Sequence, residues 1–145
     1  MEEDVWKLII TLDDDIRTKT NINDFWIEKM NSSNLILAGS FDHGYYHEIE
    51  ITFTEVKYIS CPGGIFNVSK FRSASEEERN KLIEQKVFGN EWLNPKCNVI
   101  ILEDNIEETK YHIVFEEMSY KFETVFHYIR DNLKEGERIA EWVNK

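Results

Sequence analysis

The chain has 145 residues, of which 41% are hydrophobic and 13% aromatic, with nine Phe, six Tyr and four Trp. Content so rich in core-forming side chains excludes a disordered chain, and the length suits one folded domain spanning residues 1–145. Lys and Arg number 17 against 28 Asp and Glu, a formal net charge of -11 that repels phosphate backbones and anionic lipid, so direct binding to nucleic acid or membrane is not expected.

No apolar run approaches the roughly 20 residues that cross a bilayer. Met1, Glu2, Glu3 and Asp4 supply none of the positive charge of a secretory leader, so a cytoplasmic location is expected. Residues 5–12 (VWKLIITL) form an apolar run of strand length that stops at Asp13, Asp14 and Asp15, and they read as a strand followed by a solvated turn. Residues 25–30 and 35–41 flank Asn31, Ser32, Ser33 and Asn34, whose side chains bond their own backbone in reversals, so a hairpin is predicted. Asp42, His43 and Gly44 mark the next reversal.

Residues 46–59 (YHEIEITFTEVKYI) carry the clearest pattern, with His47, Ile49, Ile51 and Phe53 alternating with Glu48, Glu50 and Thr52. Val56 breaks that register, which places a bulge or tight bend at Thr54 and Glu55. Cys61, Pro62, Gly63 and Gly64 then end pairing. Ser75 and Glu78 form an S-x-x-E capping box, and Leu82, Ile83 and Val87 share a face, predicting a helix over residues 76–88.

Residues 98–102 (NVIIL) are apolar on both faces, as a central strand beneath that helix would be. A polar turn over 103–108 leads to a returning strand over 111–115. Residues 120–130 fit either period, but six successive β-branched, aromatic or His residues from Thr124 to Ile129 favour a strand. Residues 137–144 read as a short helix docking Ile139, Trp142 and Val143. The fold class is therefore α+β: a predominantly antiparallel sheet, a meander of about six to eight strands, with one central helix and a short C-terminal helix.

Catalytic and metal chemistry find little support. His43 and His47 stand at i,i+4, but in an extended strand their Cα atoms lie about 13 Å apart, too far for one ion. The acidic clusters lack the spacing of a calcium loop. Cys61 and Cys97 are too few for a disulfide framework and have no CxxC spacing, so two reduced, partly buried thiols are expected. No G-x-S-x-G, P-loop, G-x-G-x-x-G or H-E-x-x-H occurs. The expectation is a non-enzymatic chain with no cofactor and no metal.

The outward side of residues 46–50 places Tyr46, Glu48 and Glu50 together, with Tyr45 in the adjoining turn. A rigid ring beside carboxylates grips Lys or Arg through cation–π contact and charge-assisted hydrogen bonds, so Tyr45, Tyr46, Glu48 and Glu50 are the candidate partner-binding residues. In overall character the chain resembles the small acidic immunity proteins of bacterial toxin systems: short, strand-rich, aromatic and without catalytic motifs. That resemblance implies stoichiometric binding to a basic protein partner such as a nuclease toxin. Two other readings stand beside it: a general regulatory interaction module, and a small-molecule binder or enzyme using His47, His112 or a tyrosine on the concave sheet face.

Overall fold

The computed structural model describes residues 4–85 and 97–144. The expected α+β class is borne out: the described residues form ten strands in two sheets and two α-helices. One expectation is overturned at once. Residues 5–12 are not a strand but the first half of helix α1 (Val5–Lys19). Its buried positions, Val5, Ile9, Leu12 and Ile16, advance by four, three and four residues and trace one helical stripe. The aspartates lie within the helix, where Asp13 pairs with Arg17 at 3.3 Å and Asp15 with Lys19 at 3.0 Å, each one turn apart.

Strands β1 (Asp24–Met30), β2 (Leu35–Ser40) and β3 (Tyr46–Thr54) form the expected meander. Asn31 closes the first hairpin, its side-chain oxygen accepting the N–H groups of Ser33 and Asn34. The bend after Thr54 is real, with Glu55 in the left-handed region at φ 51°. There the chain leaves the first sheet, and β4 (Tyr58–Ser60) enters the second.

Short strands β5 (Phe66–Asn67) and β6 (Lys70–Ser73) precede helix α2 (Glu76–Glu84), which opens on the full reciprocal capping box between Ser75 and Glu78. Gln85 caps its C-terminus, and residues 86–88 of the predicted helix, including Val87, lie outside the described residues. Strands β7 (Asn98–Asp104), β8 (Thr109–Phe115) and β9 (Glu117–Phe126) follow. The C-terminal helix expected over 137–144 is replaced by a three-residue strand, β10 (Glu137–Ile139), and a 3₁₀ turn at Glu141–Asn144. The β-branched Ile139 next to β9 completes a parallel pair, in which Arg138 lies opposite Val125.

The larger sheet has the order β10-β9-β3-β2-β1-β5 and the smaller β4-β8-β7-β6. Their shared core holds the α1 stripe together with Phe25, Leu37, Ile51 and Phe53 from the larger sheet, and Phe71, Ile100, Leu102 and Phe115 from the smaller. As the sequence predicts, β7 is central and buried on both faces. The opposite face of β7 and β8 meets α2 through Leu82, Val99, Ile101 and Val114. Among the described residues no helix is long and apolar enough to cross a membrane.

Candidate functional site

Cross-strand pairing aligns Trp26, Ala38, Glu50 and Lys121 in one row over four strands of the larger sheet. The adjacent row, Ile27, Leu37, Ile51 and Tyr120, packs in or against the core, so the Trp26 row belongs to the opposite, outer face. Regular alternation keeps His47 with Ile49 and away from Glu50. The β3–β9 pairing is irregular between His47 and Ile49, and this re-aims the imidazole so that it meets Glu50 three residues later.

His47 is fully buried and sits at the centre of a polar chain. Its Nε2 donates to the Glu50 carboxylate over 2.8 Å, and its Nδ1 lies 2.9 Å from Nε2 of His127. The carboxylate is an acceptor, which fixes the proton on His47 Nε2. The two facing nitrogens then share a single proton. Arg138 also donates to Glu50, at 2.7 Å, and to Glu123, at 2.8 Å. The hydrogen bond from His47 holds the Glu50 carboxyl below its ordinary value, with Arg138 and Lys121 adding to the effect against burial. Burial, then the neighbouring His47, pushes the His127 ring down, outweighing Glu28 and the His43 backbone, which favour its charged form.

This chain ends at an open groove of about 310 Å³, whose walls include Trp26, Glu28, His127 and Trp142, with Gly63 and Gly64 on its rim. Trp26 stands edge-on to both imidazoles, and Trp142 lies over His127 with ring centroids 5.3 Å apart. The two indoles converge on one carboxylate. Trp26 Nε1 donates to Glu28 Oε1 at 2.8 Å and Trp142 Nε1 to Glu28 Oε2 at 3.1 Å.

The four residues singled out from sequence do not assemble into one patch. Tyr45 is exposed and meets Tyr128 edge-on. Tyr46 is half-buried against Phe126, and burial followed by Glu48 and Asp42 raises its phenol above the ordinary value. Glu48 accepts the N–H of Phe41 and lines a separate depression with Lys19 and Phe122. Glu50 does lie on the face away from the core, yet it is only 8% exposed beneath its His47 and Arg138 partners.

His112 lies in the smaller sheet, stacked on Tyr58, and does not join the other histidines. Burial pushes the Cys61 thiol up to about 12 and raises that of Cys97 as well. The groove was hidden from sequence reasoning because its parts come from β1, the loops at His43 and at residues 63–65, the residue just after β9 and the C-terminal turn. Trp26 and Glu28, two apart on one strand and therefore on one face, were its only local trace.

Comparison of the chain with protein-family models, with curated proteins and with solved structures finds no match.

Proposed function

We propose that this chain is a non-enzymatic binding domain for a basic protein, and that the groove between Trp26 and Trp142 is where the partner is engaged. The observation that carries the reading is the Glu28 carboxylate, held open at the surface between two indole N–H groups on a chain of net charge -11. Aromatic anchors around a charged centre make strong contact points, and the overall charge steers a cationic partner toward them. The immunity-protein character of the sequence narrows the partner to a basic toxin domain, such as a nuclease whose phosphate-binding surface an acidic chain would cover.

The competing reading, a catalytic site, draws on the Glu50–His47–His127 series. Its terminal imidazole, however, spends Nε2 on His47, and the nearby His43 backbone favours its charged form rather than a free base. A general base needs a free nitrogen facing the substrate. The raised thiols likewise disfavour a cysteine nucleophile.

The test is calorimetric titration of the chain against basic bacterial nuclease domains at low and high salt, alongside survival of cells making both proteins. A stoichiometric complex that weakens with salt and with Glu28→Gln is expected. Binding that ignores both salt and the Glu28 substitution counts against the reading, as does failure to bind any basic domain.

A further inference from the structure

Resting on that reading, we infer that the groove is a pocket for a single arginine side chain, its guanidinium forked onto Glu28 beside the faces of Trp26 and Trp142. Many of the half-buried acids are matched by a Lys or Arg side chain; Asp24, Asp42, Glu48 and Glu137 are not, and among the described residues Glu28 differs from these in having both carboxylate oxygens held by indole N–H groups at a groove. Glu50 and Glu123 have Arg138, Glu78 and Glu103 have Arg72, Asp13 has Arg17, Asp15 has Lys19, and Glu116 has Lys57. Among the described residues no Lys or Arg pairs with Glu28, whose side-chain partners are the two indoles. A partly desolvated carboxylate without a cation is costly, and a ligand that supplies one recovers the loss.

The chemistry of the pocket selects among cations. Each Glu28 oxygen accepts one indole N–H and keeps a further acceptor site, so the carboxylate still offers two prongs in a plane fixed by Trp26 and Trp142. A guanidinium matches two prongs and stacks on aromatic rings. An ammonium is a compact, strongly hydrated point charge that does neither as well. The volume of about 310 Å³ lies at the small end of ligand sites, which run from about 300 to 1,000 Å³, and suits one side chain rather than a larger ligand. At the rim a Cβ added to Gly63 or Gly64 would meet nothing within 4 Å, so the backbone of a bound peptide has open space to approach.

The experiment is a titration of intrinsic tryptophan fluorescence with three capped pentapeptides, Gly-Gly-Xaa-Gly-Gly, in which Xaa is arginine, lysine or citrulline. The wild-type chain is compared with Glu28→Gln and Trp142→Phe, each checked for folding by circular dichroism. A saturable response to the arginine peptide is expected, about five- to tenfold weaker for lysine and absent for citrulline, which keeps the shape but not the charge. Glu28→Gln should lose the response. Trp142→Phe, which keeps a ring but loses the N–H, should weaken it.

Equal response to arginine and lysine overturns the guanidinium pocket while leaving the basic-partner reading in place. No saturable response to either cationic peptide removes the groove from both. Citrulline matching arginine, or Glu28→Gln binding like wild type, overturns the role given to the carboxylate.

Discussion

Trp142 donates its indole N–H to Glu28 across 114 residues of sequence, at 3.1 Å, and so ties the C-terminal turn to the first strand of the larger sheet. Trp142 is itself 52% exposed. Its removal therefore separates function from stability. Trp142→Ala should cost about 1 kcal/mol of folding free energy, one hydrogen bond and one ring contact, yet abolish the fluorescence response to arginine peptides. Urea melts and the peptide titration, run on the same preparation, check the two halves.

Glu50 is the opposite case, since it is buried and serves His47 and Arg138 together. Glu50→Ala strands two donors at once and should cost about 3 kcal/mol. Removing Arg138 as well relieves part of that cost. Chemical denaturation of Glu50→Ala, Arg138→Met and the double variant should return a double-mutant coupling well above zero, and strictly additive losses would contradict the network.

His127 makes stability depend on pH. The folded-state pKa of His127 is depressed, so its contribution is fully present above the unfolded value of about 6.5 and is lost as pH falls toward the lower folded value. The Arg72 hydrogen bonds hold Glu78 down to about 2, so its contribution persists to lower pH and disappears between about 4.5 and 2. Melting temperature should consequently fall in two stages, the first below pH about 6.5 and absent in His127→Phe, the second reduced in Glu78→Gln.

Gly39 pairs with Phe25, and a Cβ placed there would lie 2.4 Å from that ring and 2.9 Å from Ile49. Phe25 is fully buried and meets Phe71 of the smaller sheet edge-on, so it has no room to retreat. Gly39→Ala should destabilise by about 2–3 kcal/mol through overpacking. Thermal unfolding measures it, and a neutral result would mean that the two sheets pack more loosely than described.

Cys61 offers a chemical check. With its thiol pushed up to about 12 by burial, the native chain should react with a disulfide reagent at neutral pH far more slowly than the urea-unfolded chain. Comparable rates in the two states would contradict its burial.

The parts of this fold that were legible in the sequence are those whose information is local. Asn31 marks the first hairpin because its side chain bonds the next residues, Ser75 and Glu78 announce a helix by capping each other, and Val56 betrays the bend by breaking parity. Residues 5–12 misled because Trp6 and Ile10, both largely exposed, fill the gaps in the Val5–Ile9–Leu12 stripe and hide its period. The pairs Asp13 with Arg17 and Asp15 with Lys19 were the better guide to a helix. At the other end, Glu137–Ile139 became a strand because β9 was there to receive it, a tertiary cause with no local mark. The groove fails to show for the same reason: Trp26, His127 and Trp142 are neighbours only after the sheet has formed, and His47 joins them through an irregularity of pairing.

The short parallel strand β10 covers only Thr124–Phe126 of its ten-residue neighbour. Without it, the outermost strand of the larger sheet would present its most apolar end, Val125 and Phe126, as a template for another chain, while Glu117, Lys121 and Glu123 would guard the remainder by charge. The segment that delivers Trp142 thus also shields the sheet from self-association. Losing it would cost solubility as well as the proposed recognition.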